Sequence, residues 1–156
     1  AKVERTGFGE LGLAGTLLHN NGHEVLLWSA RPENARKLRE KRENPDRLPG
    51  VRLPDEIDVL TDLERALKDV DVTVLAVASP YIRSTAHKMA SFVCRDQKIV
   101  NVAKVLGKDT ENTQRGDRRR NPAGNVAVLS GPSHAEEVGR GLPTTCVISA
   151  HTQETA

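Results

Sequence analysis

The chain has 156 residues, enough for one domain with a real core and too few for two generous ones. Apolar residues make up 37% of it and charged residues 28%, the balance of a soluble globular protein with little core to spare. The formal charge of +2, from 23 Lys and Arg against 21 Asp and Glu, is too even to suggest a nucleic-acid or membrane surface, whereas a small anionic ligand needs only local charge.

An N-terminal strand candidate comes first, with Glu4, Arg5 and Thr6 unusually polar for a central parallel strand. It leads into Gly7-Phe8-Gly9-Glu10-Leu11-Gly12, which fits G-x-G-x-x-G between a strand and a helix. In such a loop Gly7 permits the tight turn, Gly9 lets the backbone approach a pyrophosphate, and Gly12 allows close helix–strand packing, while the helix N-terminus offers free N–H groups to the anion. Glu10 stands at the loop mouth, where a carboxylate pointing inward repels phosphate. A glycine-rich turn that binds nothing is the alternative reading.

A helix over residues 11–20 follows, with Leu11, Ala14 and Leu18 on one face and Asn20-Asn21-Gly22 as its stop. Glu24 to Trp28, EVLLW, reads as the second strand. Its end, Trp28-Ser29-Ala30-Arg31, lacks the acid that holds the ribose 2′-hydroxyl of NAD and offers Ser29 and Arg31, which suit the 2′-phosphate of NADP. Arg31 reads equally well as an exposed first-turn cation beside Pro32. A polar helix is expected from Pro32 to Arg42, then an ordered surface connection from Glu43 to Asp55 containing Pro45, Pro49 and Pro54. The run IDVL and a short helix from Asp62 to Lys68 come next.

VTVLAV at Val72 to Val77 is apolar throughout, which means burial on both faces. Ser79-Pro80 after it lines a crevice or simply ends the strand. Further strands are expected at Lys98 to Val102, Asn125 to Leu129 and Thr144 to Ser149. Between them, Thr110 to Asn121 has no apolar residue and reads as a solvated loop, or as a basic anion-binding patch around Arg118, Arg119 and Arg120. The alternation of strands and helices predicts right-handed crossovers and one Rossmann-type, doubly wound α/β domain over residues 1–156 with a mainly parallel sheet.

Cys94 and Cys146 have no CxxC spacing and read as small buried hydrophobes, not as a metal or disulfide framework, so no metal is expected and a reducing, cytoplasmic setting is. No apolar run approaches a membrane span, and the N-terminal residues lack the apolar core of a secretion signal.

Four segments together resemble the bacterial NAD(P)-dependent glycerol-3-phosphate dehydrogenase family: NGHEVLLW, RENPDRLPGVRLP, the strand-end AVAS, and LSGPSHAEEVGRGLPT from Leu129 to Thr144. The resemblance spans the chain and corresponds to the N-terminal half of such an enzyme, so the family's C-terminal helical domain, with a second catalytic lysine, is expected to be absent. It implies hydride exchange between NAD(P)H and dihydroxyacetone phosphate, giving sn-glycerol 3-phosphate for phospholipid synthesis, and a homodimer in the full-length enzyme. By the same resemblance Lys104 contacts substrate and cofactor and is the catalytic candidate, Gly131 and Ser133 contact the substrate, and Gly7, Gly9, Glu10, Leu11, Gly12 and Ala135 lie along the cofactor. The chain departs from the family pattern at Ala103-Lys104-Val105, where a glycine normally follows the lysine, and at His134, where phenylalanine is usual.

A lysine ammonium near the substrate oxygen stabilises the charge that develops as a carbonyl becomes an alkoxide. Among the histidines only His134 stands near the proposed site; His19 and His23 flank a helix end and read as surface or capping residues. The competing reading is a dinucleotide-binding module that has lost catalysis. A nucleic-acid binder using Arg115 to Arg120 lacks stacking aromatics.

Overall fold

A computed structural model describes residues 2–6, 12–44, 48–94, 97–103, 125–131, 143 and 145–150. Among them a seven-stranded sheet runs in the order β5-β2-β1-β6-β7-β8-β9. Its strands are β1 (Lys2–Thr6), β2 (Glu24–Trp28), β5 (Asp58–Leu60), β6 (Val72–Leu75), β7 (Lys98–Asn101), β8 (Asn125–Ser130) and β9 (Val147–Ala150). All neighbours are parallel except β9, which runs antiparallel to β8. The doubly wound, mainly parallel architecture is therefore the one the alternation of strands and helices predicts.

β1 occupies the centre despite its polar residues. Glu4 pairs with Leu26 on one side and Thr73 on the other, and Thr6 with Trp28 and Leu75, in unbroken register. Backbone pairing on both edges satisfies its peptide groups whatever its side chains are.

Helices α1 (Gly12–Asn20), α2 (Pro32–Lys41), α3 (Leu63–Leu67) and α4 (Ser79–Met89) cover the sheet. Side chains alternate across each strand, and the core divides accordingly. Val25, Leu27 and Val59 pack with Ala35 and Leu38 of α2 and with Leu53 and Ile57, and Leu18 of α1 joins this group to Val74 and Ala76. On the other face Leu75 and Ile99 meet Leu67 of α3 and Ile82 and Met89 of α4. All four residues Val25 to Trp28 are buried, as a strand covered on both faces requires.

The helix ends follow from local chemistry. After α1, Gly22 adopts φ +83°, and the N–H groups of Gly22 and His23 donate to the carbonyls of His19 and Leu18 at 2.8 and 3.1 Å. This pair of bonds is the Schellman closure that the Asn-Asn-Gly stop predicts. α2 is as polar as expected, with only Ala35 and Leu38 buried. α3 is capped by Asp62, whose Oδ1 accepts from the Arg65 N–H at 3.2 Å.

Two expectations need correction and one gains detail. The segment after α2 is more than a surface connection: β3 (Glu43–Asn44) and β4 (Leu48–Arg52) form an antiparallel pair, with Gly50 at φ +83° donating its N–H to Glu43 Oε1 at 2.9 Å. Ser79-Pro80, expected to line a crevice or to end the strand, opens α4 just past β6, where a proline near a helix start loses nothing by its missing N–H. Both cysteines are exposed, not buried. Cys94 lies in the loop after α4 and Cys146 immediately before the edge strand β9, two places that leave a side chain uncovered.

Candidate functional site

In an open parallel sheet the ligand crevice forms beyond the carboxyl ends of the strands, where the order of winding reverses. Here the first strand has β2 and then β5 on one side and β6, β7 and β8 on the other, so the reversal falls between β1 and β6. The described segments that border this crevice are the end of β1 and the start of α1, residues 76–78 after β6 with the start of α4, and the turn after β2.

Gly12 begins α1, with five residues between it and the end of β1. Gly7, Gly9, Glu10 and Leu11 lie outside the described residues. What is described fits a phosphate loop in topology: a central strand, a connection holding two glycines, and a nine-residue helix starting on the third.

At the end of β2 the geometry is better defined. Trp28 is buried, its indole N–H donating to the Thr61 carbonyl at 3.0 Å. The Ser29 N–H donates to the Leu60 carbonyl at 2.9 Å, tying the strand end to β5. The Ser29 hydroxyl closes a turn on Arg31: it donates to the Arg31 carbonyl at 3.2 Å and accepts the Arg31 N–H at 3.3 Å. Arg31 has extended backbone as the N-cap of α2 and an exposed side chain. The sequence reading places Ser29 and Arg31 side by side as anion contacts; the fold buries the serine and exposes the arginine.

On the other side of the switch point, β7 ends in Asn101, which is buried and accepts the Ala103 N–H on its Oδ1 at 3.0 Å. The Val102 N–H donates to the Leu75 carbonyl at 3.0 Å. Together they fix the backbone just ahead of Lys104, which itself lies outside the described residues. Sequence reasoning missed Asn101; its signal was a lone amide at the end of the apolar run KIVNV, the position of an Asx turn.

Gly131 follows β8 directly. A Cβ built there would overlap the carbonyl oxygen of Thr145 and come within 3.1 Å of the Cys146 Cα. The glycine is therefore needed for the close approach of the chain entering β9, whatever else it contacts. Ser133, His134, Ala135 and the basic run within residues 110–121 are outside the described residues. Among the described residues no group of His, Cys, Asp or Glu is placed to hold a metal ion, and no helix is long and apolar enough to cross a membrane.

The fold has close counterparts. A crystal structure of glycerol-3-phosphate dehydrogenase from Coxiella burnetii superposes with a TM-score of 0.89 at 24% identity, over 98% of this chain and 47% of that one. A UDP-D-ManNAc dehydrogenase from Pyrococcus horikoshii superposes with a TM-score of 0.84 at 14% identity, over 100% of this chain and 42% of that one. Likeness at that level shows the fold and does not choose a substrate. Sequence does more: the chain is 49% identical to the glycerol-3-phosphate dehydrogenase [NAD(P)+] of Agathobacter rectalis over 158 residues, covering 100% of this chain and 47% of that protein. It thus spans about half the length of the curated relatives it matches. Residues 2–156 match the family described as the NAD-dependent glycerol-3-phosphate dehydrogenase N-terminus, and the chain belongs to that family.

Proposed function

We propose that the chain is the dinucleotide-binding half of a glycerol-3-phosphate dehydrogenase that exchanges hydride between NAD(P)H and dihydroxyacetone phosphate, giving sn-glycerol 3-phosphate for phospholipid synthesis. The observation that carries the reading is the family match over nearly the whole chain, on a sheet whose winding reverses between β1 and β6. Residues 1–156 then form a single dinucleotide-binding domain, and a helical domain beyond it completes the substrate site. The full-length enzyme is a cytoplasmic homodimer in this account.

The residues divide between the two ligands. Gly7, Gly9 and Gly12, with Glu10, Leu11 and Ala135, lie along the cofactor, and the N-terminus of α1 faces its pyrophosphate. At the adenosine end the exposed Arg31 meets a 2′-phosphate, with Ser29 beside it. The nicotinamide, when bound, supplies the hydride chemistry. Lys104 offsets the negative charge that grows on the substrate oxygen and attracts the substrate phosphate, while Gly131 and Ser133 hold the substrate on the same side.

Cofactor choice is the accessible test. The end of β2 presents Arg31 and no carboxylate between Trp28 and Pro32, so NADP(H) is expected to bind more tightly than NAD(H). Titration calorimetry with both cofactors measures it. A preference for NAD(H) that Arg31→Ala leaves unchanged contradicts the 2′-phosphate contact.

A further inference from the structure

The turn after β2 holds a serine whose hydroxyl both donates to and accepts from its own chain. Ser29 is 2% exposed, and its Oγ both donates to the Arg31 carbonyl and accepts the Arg31 N–H, at 3.2 and 3.3 Å. A hydroxyl has one proton to give, and this one is spent on a carbonyl that also takes the N–H groups of Asn34 and Ala35, each at 3.1 Å. The Ser29 N–H is itself anchored to Leu60 of β5. Arg31 is therefore held at its N–H by Ser29 and at its carbonyl by Ser29 and the first turn of α2, so the long, exposed side chain swings from a fixed Cα.

We infer that Ser29 is a positioning residue for cofactor choice: it sets the discrimination between NADP(H) and NAD(H) through the backbone of Arg31 and makes no bond of its own to the 2′-phosphate. A hydroxyl buried in the turn has neither the exposure nor the free proton to meet an anion in the crevice. Fixing the origin of a flexible cation lowers the ordering cost of bringing it to the phosphate, and that gain is felt only by a cofactor carrying the phosphate. Glu33, in the first turn of α2, makes placement matter further, because a guanidinium free to wander can be drawn to that carboxylate. The inference rests on the reading that Arg31 meets the 2′-phosphate.

The test is a double-mutant cycle in the full chain with NADPH and NADH, read by titration calorimetry. Ser29→Ala is expected to weaken NADPH by about fivefold, the equilibrium equivalent of one neutral hydrogen bond, and to leave NADH unchanged. Arg31→Ala is expected to abolish the preference, and Ser29→Ala added to Arg31→Ala to change nothing more. An Arg31→Ala protein with its NADPH preference intact removes the 2′-phosphate reading itself. If Arg31→Ala lowers the preference, three results overturn the positioning role alone: no effect of Ser29→Ala on NADPH, an effect that persists without the arginine, or equal weakening of both cofactors.

Discussion

Arg42 shows how much of this domain hangs on single side chains. It closes α2 in the left-handed region, at φ 51°, a conformation that costs a non-glycine residue about 1 kcal/mol or more. Its guanidinium donates to the carbonyls of Ile57 at 2.8 Å and Asp55 at 3.0 Å, and its Nε lies 3.6 Å from Asp55 Oδ1. Bonds from a charged donor contribute about 1.5–3 kcal/mol each, so they outweigh the strain. Arg42→Gly, which relieves the backbone, is therefore expected to destabilise the protein by about 2 kcal/mol in urea unfolding; a stabilised variant would mean the fork to the β4–β5 connection is worth less than the strain. None of this was legible in the sequence, where Arg42 reads as the last residue of a polar helix. The same holds for Ser29. Its type suggested an anion contact, and only the fold shows its hydroxyl turned back on Arg31. Gln97 is a third case, buried and donating its amide to the Thr73 hydroxyl at 3.0 Å, a contact across 24 residues that no local pattern encodes.

Whole elements were easier to read than single contacts. Apolar runs bounded by turn residues marked β2, β6, β7 and β8 because parallel strands covered on both faces must be apolar along their length. The Asn-Asn-Gly stop fixed the end of α1 because only glycine adopts that closing conformation cheaply. α4 was not anticipated, although Ile82, Thr85, Ala86 and Met89 are its buried face at helical spacing. Small and hydroxyl-bearing core residues blur the apolar stripe. Two predictions belong to elements. Gly9→Val is expected to abolish cofactor binding while leaving a cooperative thermal transition, because the second glycine of a G-x-G-x-x-G loop is the one that lets the backbone approach a pyrophosphate; unchanged binding would make the glycine run a turn and nothing more. Gly131→Ala is expected to lower stability by about 2 kcal/mol by forcing β8 and the chain entering β9 apart. An unchanged melting temperature contradicts that packing argument.

At the scale of the molecule, the alternation of elements yields the doubly wound class and the resemblance yields the family, whereas the strand order comes from the structure. The site divides unevenly between what sequence could place and what it could not. Resemblance assigns roles to Lys104, Ser133 and Ala135, which lie outside the described residues, whereas the role of Asn101, whose Oδ1 pins the chain ahead of Lys104, emerges from the geometry. On the proposed function, a crevice without the second domain is expected to leave the substrate in water, where an electrostatic contact is weak and the reacting atoms are not held in line. The most direct test follows NADPH absorbance with dihydroxyacetone phosphate, for this chain and for a protein extended to the full length of its curated relatives. The extended protein is expected to turn over and to lose about 10²–10³-fold in kcat with Lys104→Ala, while the chain by itself stays near background. Robust turnover by the chain alone, or an extended protein indifferent to Lys104→Ala, would contradict the account.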